Sequence, residues 1–119
     1  MADSQVVLRY RDGRTERATL AAVDTDRELF AVDRDGERDD IPFSEMKAVF
    51  FPRTAPEDSL EPASGSTIAV EFADGEVIRG VAHYNPERNG FYLYPHDRSR
   101  NERIFVVRAA IVSIEVEKL

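Results

Sequence analysis

One strand-and-turn pattern occurs twice in this chain, 62 residues apart, and it constrains the fold more than any other feature. Val6-Val7-Leu8-Arg9-Tyr10-Arg11-Asp12-Gly13 returns as Ile68-Ala69-Val70-Glu71-Phe72-Ala73-Asp74-Gly75. Each copy alternates apolar and polar side chains, the period of a strand with one buried face, and then reaches Asp-Gly, a strong short-range hairpin signal. Asp12-Gly13 and Asp74-Gly75 are therefore expected to close two-residue type I′ turns, in which both central residues take positive φ.

The segments between the repeats follow one plan. After the first turn, strands are expected over 15–23, 29–32, 41–43 and 47–51, with 24–28 and 33–40 as polar loops and Ser44-Glu45-Met46 as a single helical turn. The second copy repeats this with strands over 77–84, 91–94, 104–107 and 111–116, and Arg108-Ala109-Ala110 as the turn. Gly80 stands where the first copy has Ala18, a place for a sharply bent strand. Between the copies, residues 52–66 hold three prolines, three serines and a glycine with no hydrophobic period. The expected fold is all-β: two tandem five-stranded SH3-like small barrels related by internal duplication. The first spans residues 1–53, the linker 54–66 and the second barrel 67–119.

Units of about fifty residues lie near the lower limit of independent stability, so the two copies should pack together. The fifth strand of the first copy supports this. Val49 and Phe51 point to one side and Ala48 and Phe50 to the other, and a strand apolar on both faces needs cover on both. Phe50 and Phe51 are accordingly assigned to inter-barrel packing. The final strand of one or both copies should be covered by the other copy or by a second chain.

Composition narrows the functional classes. The 119 residues carry 16 basic and 23 acidic groups, a net charge of −7. Residues 1–60 hold 9 basic and 14 acidic groups, and residues 61–119 hold 7 and 9. Neither half has the positive field of backbone-led nucleic-acid binding, so DNA is not expected and RNA is not favoured. The absence of cysteine removes disulfides, thiolate catalysis and cysteine-based zinc sites. No apolar run exceeds four residues and Met1–Gln5 is not a secretory leader, so the expectation is a cytoplasmic protein that does not enter a membrane.

The plan of a long bent hairpin, a short third strand and two strands joined by a single turn resembles the Sm-like version of the small barrel. Arg79-Gly80 with the strand after it, and Val107-Arg108-Ala109-Ala110-Ile111-Val112-Ser113-Ile114, stand where Sm proteins carry their two motifs. The Asp-Gly … Lys-Ala-Val-Phe-Phe pattern of the first copy resembles uncharacterised bacterial domains of this type. The resemblance implies a fold, and in Sm rings the last strand of one subunit pairs with the fourth strand of its neighbour. It does not carry over the Sm RNA pocket. Asn85 and Asn89 match the pocket loop only loosely, and Arg108 is followed by Ala109, where that family has glycine.

The most chemically suggestive stretch runs from His83 to His96 and on to Arg103. Tyr84, Asn85, Arg88, Asn89, Tyr92, Tyr94, Arg98, Arg100, Arg103 and Arg108 form the candidate binding surface. Aromatic faces beside arginines suit a proline-rich or arginine-rich peptide, or stacked bases with phosphate contacts. The competing reading is an outward set of cross-strand tyrosines and solvated arginines. His83, His96 and Asp97 are too far apart in sequence to specify zinc. Asp33–Asp40 has its glycine at the wrong position for a calcium loop. No metal and no cofactor are expected. Neither a nucleophile elbow nor a phosphate loop is present, so the chain is read as a non-catalytic binding or scaffolding module for a protein partner or for self-association. RNA binding by the Tyr/Arg surface is the alternative.

Overall fold

The structure, a computed structural model, describes residues 4–54, 56 and 64–117. These form ten strands: β1 Ser4–Tyr10, β2 Thr15–Asp24, β3 Leu29–Arg34, β4 Glu37–Pro42, β5 Met46–Pro52, β6 Ser66–Phe72, β7 Val77–Ala82, β8 Gly90–Pro95, β9 Asn101–Val107 and β10 Ile111–Val116. Single 3-10 turns at Phe43–Glu45 and Arg108–Ala110 join the last two strands of each half. No helix among the described residues is long and apolar enough to cross a membrane.

All ten strands belong to one antiparallel sheet in the order β10-β6-β7-β8-β9-β5-β1-β2-β3-β4. The all-β expectation holds, and the strands of the two expected five-stranded units lie in one continuous sheet, because β5 and β9 pair along their length, from Ala48 opposite Val106 to Pro52 opposite Asn101. The order fifth-first-second-third-fourth nevertheless occurs in each half. Registers repeat as well. Val6 faces Ala18 as Ile68 faces Gly80, and Leu8 faces Val49 as Val70 faces Ile114. Even the irregularity recurs: an extra residue bulges from the fifth strand of each half, Lys47 in β5 and Val112 in β10.

The turns differ from expectation in type. Tyr10 N donates to Arg14 O at 3.0 Å and Gly13 N to Tyr10 O at 3.1 Å, and only Gly13 has positive φ (97°). The second copy does the same, with Phe72, Glu76 and Gly75 (92°). These are three-residue loops, a type I turn followed by a left-handed glycine. Asp12 and Asp74 instead keep ordinary φ and use a carboxylate oxygen to accept from the backbone N–H two residues on, at 2.9 Å each. The two-residue turn with both φ positive lies elsewhere, at Asp35 (50°) and Gly36 (85°) between β3 and β4. Residues 37–40 are therefore strand, where a polar loop was expected. Cross-strand ion pairs offset their charge: Arg38 Nε donates to Asp33 at 2.6 Å, and Arg34 bridges Asp39 and Glu16.

At the seam between the halves both strands are buried on both faces. Met46 to Phe51 are all buried, as are Ile104 to Val107. Paired residues share a face, so Leu8, Val49, Phe105 and Tyr92 form one row across β1, β5, β9 and β8, and Val7, Phe50, Ile104 and Leu93 form a row on the opposite face. Along the first row, Phe105 of the second half reaches into the first, with ring centroids 5.6 Å from Phe30 and 5.8 Å from Phe43. Along the second, Phe50 shares its face with Ile104 and Leu93 of the second half's core.

A charged lock closes the same seam. Lys47, only 6% exposed, reaches from its bulge to Asp74 (2.7 Å) and Glu76 in the second half's first hairpin, with its ammonium 4.8 Å from the centroid of the Phe72 ring. The Lys47 hydrogen bond, followed by the Glu76 backbone N–H, holds the Asp74 carboxyl below its ordinary value of 3.8. A carboxyl lowered in the folded state contributes stability above its unfolded value and loses it as pH falls through the lower folded one. Acidification below about pH 4 is therefore expected to lower the melting temperature of the parent by more than that of Asp74→Asn. Equal falls in thermal melts at pH 3 and pH 7 would remove Asp74 from this account.

Candidate functional site

The strand β8, the loop that leads into it from β7, and Ser66 and Ala82 build an open hollow. Inward positions on β8 are taken by Phe91 and Leu93, which fill the core, so the period of two turns Tyr92 and Tyr94 outward. The loop 83–89 is shaped by Asn85, whose side-chain oxygen accepts from Glu87 N at 2.9 Å while its carbonyl accepts from Arg88 N at 3.0 Å. Together these segments enclose an open cleft of about 600 Å³, within the range of ligand pockets. Tyr84, Asn85, Arg88, Tyr92 and Tyr94 line it, with His83 at the rim and Phe91 at its base.

Glycine makes the cleft's walls possible. At Gly80 a β-carbon would overlap the Tyr94 carbonyl oxygen and lie 2.9 Å from Pro95 Cα, so β7 and β8 can close at that height only with no side chain there. Tyr84 packs edge-on against Phe91 at 5.4 Å, which fixes the depth of the floor. Tyr92 stands 38% exposed and leans on Phe105 at 5.1 Å and Phe51 at 5.9 Å. Burial of its ring raises the Tyr92 hydroxyl above its usual pKa, against the opposing pull of Arg103, so it stays a neutral donor at physiological pH.

Three further arginines of this segment are placed differently from one another. Arg98 stacks over Tyr94 at 5.4 Å and donates from Nε to Glu102 O at 3.1 Å, which extends the cleft's aromatic wall. Arg103 lies over Phe51 at 4.3 Å and Tyr92 at 5.4 Å, so its guanidinium covers the seam as well as one edge of the cleft. Arg100 is exposed outside the hollow, where its carbonyl accepts from Arg53 N at 2.8 Å.

Asn89 and Arg108 do not line the cleft. Asn89 turns to the first half, where its amide donates to Thr25 O at 2.6 Å and to Glu28 at 3.2 Å, and its carbonyl accepts from Arg108 N at 2.9 Å. Both line a smaller hollow of about 260 Å³ with Arg11, Glu28, Phe43 and Ser44, at the meeting of the two 3-10 turns. Phe105 and Lys47, which hold the halves in register, are absent from the sequence-derived set. The signal for Phe105 was available: Ile104-Phe105-Val106-Val107 is apolar on both faces, as β5 is.

His83 Nε2 lies 2.9 Å from Ser64 Oγ, and among the described residues no three His, Asp or Glu side chains are placed to hold an ion.

The sequence matches the model of a family of unknown function, DUF6982, over residues 2–118, and the chain belongs to that family. No curated protein and no solved structure matches it significantly.

Proposed function

We propose that the chain is a non-catalytic binding module, two tandem Sm-like barrels related by duplication, whose tyrosine cleft takes an extended proline-rich segment of a protein partner. The observation that carries the reading is the convergence of Tyr84, Asn85, Arg88, Tyr92 and Tyr94 on one open cleft. Several tyrosine faces in an open groove suit a polyproline II ligand, whose ordering entropy is already low, while an amide and a guanidinium among the lining residues can bond its carbonyls. The repeated strand order and registers support the duplication.

RNA is the second reading, favoured by the arginine–tyrosine stacks at Tyr92 and Tyr94, which also suit bases. Against it stand the net charge of −7 and the acids Glu87, Asp97 and Glu102 within the same segment. Fluorescence titrations with a proline-rich decapeptide and with a uridine decanucleotide, each at 50 and 200 mM salt, separate the two. The peptide is expected to bind with little salt dependence and to lose about tenfold in affinity with Tyr92→Ala, the loss expected for one aromatic contact. Oligonucleotide binding that weakens steeply with salt, with no peptide binding, would replace this reading by the second.

A further inference from the structure

Among the described residues the sheet has two unpaired edges, β4 and β10, and the internal seam shows what each would meet if an equivalent seam formed there. In the seam, Val49 faces Phe105, Phe50 faces Ile104 and Phe51 faces Arg103. Matching registers put Ile114, Glu115 and Val116 of β10 at the places of Val49, Phe50 and Phe51. Likewise Phe30 faces Ile41 as Phe91 faces Val106, so Asp40, Asp39 and Arg38 of β4 stand at the places of Phe105, Ile104 and Arg103.

A second copy fits this edge poorly. Head-to-tail pairing of β10 with another chain's β4 would set Glu115 opposite Asp39 and Ile114 opposite Asp40. Like charges directly opposed across strands repel, and Pro42 further blunts the β4 edge. Yet β10 keeps the features of an acceptor. Val112 is 62% exposed at its bulge and Val116 44% exposed, whereas their first-half counterparts Lys47 and Phe51 are buried against the second half.

We infer that the β10 edge accepts, by strand addition, an extended segment of a different protein that carries a large apolar side chain opposite Ile114 and a basic one opposite Glu115. The apolar residue takes the part that Phe105 plays at Val49. The basic residue answers a carboxylate that has replaced Phe50. Backbone hydrogen bonds supply the attachment, and these two side chains select the partner. The site is independent of the tyrosine cleft, since it shares no residue with it.

The probe is a synthetic peptide of residues 101–108 of this chain carrying Ile104→Lys, titrated into the full chain and followed by amide chemical shifts. Shifts are expected at 112–116, with affinity about fivefold above that of the same peptide carrying Ile104→Asp, the range of one cross-strand charge pair reversed. Glu115→Lys in the chain should invert that preference. Absence of binding, equal affinity for the two peptides, or shifts confined to the cleft would overturn the inference. So would self-association of the parent chain in sedimentation that Glu115→Lys alters, because a second copy would then be the occupant.

Discussion

Phe105→Ala is expected to destabilise the protein by about 3–5 kcal/mol, the largest effect of any single truncation in the seam. The side chain is 3% exposed and touches Phe30, Phe43 and Tyr92, so its removal leaves a void shared by the first half's core and the wall of the cleft. The transfer loss and the cavity add, and neither half can collapse inward without breaking the β5–β9 register. Chemical denaturation of Phe105→Ala beside Val116→Ala provides the comparison. Val116 lies half-exposed on the free edge, and its truncation is expected to cost less than about 1 kcal/mol. A cost near 1 kcal/mol for both would mean that the halves are joined by backbone pairing alone.

Gly80→Ala is expected to cost about 3 kcal/mol, at the upper end of overpacking, because the obstruction is the β8 backbone and not a side chain that can swing away. Its counterpart Ala18 carries a β-carbon without difficulty. There the following strand pair, β2 with β3, shifts register between Leu20 and Ala22, whereas β7 and β8 stay in register from Gly80 to Ala82. Ala18→Gly should therefore lose only about 1 kcal/mol, chiefly through backbone entropy. Gly80→Ala should also weaken ligand binding in the cleft, since Tyr94 moves with its carbonyl. Unchanged melts for Gly80→Ala would contradict the close approach.

Much of this architecture is written in local patterns. The alternation in β1 and β6, the aspartates and glycines of their hairpins and the two-faced apolar run of β5 are all visible in the chain, because each follows from a period of two or from a glycine at positive φ. Two things were hidden. The strand β4 reads as a polar loop, since Arg38, Asp39 and Asp40 declare no buried face. Only the partners Asp33 and Arg34 on β3 make that charge acceptable. The identity of the seam was hidden too. β5 and β10 look alike in sequence, but whether either is covered depends on the strand that reaches it. Here β9 pairs with β5, and among the described residues β10 is left as an edge.

The cleft was legible in its residues and not in its limits. Tyr84, Asn85, Arg88, Tyr92 and Tyr94 lie close in sequence and close in space because one hairpin carries them all. Asn89, read as part of the same surface, is drawn to the other side of the seam by Thr25 and Glu28, residues sixty or more positions away in sequence, and Arg108 is tied to it through its backbone N–H to the Asn89 carbonyl. No local pattern encodes that contact. Arg103 stands between the two regions, since the same guanidinium covers Phe51 and Tyr92.

The most direct test of the binding reading is an amide chemical-shift map of the full chain titrated with the proline-rich decapeptide at 150 mM salt. Shifts at Tyr84, Asn85, Arg88, Tyr92 and Tyr94 that saturate together are expected, as is their loss in Tyr92→Ala. Shifts centred on Arg11, Asn89 and Arg108, or an unperturbed spectrum at millimolar peptide, would contradict that reading.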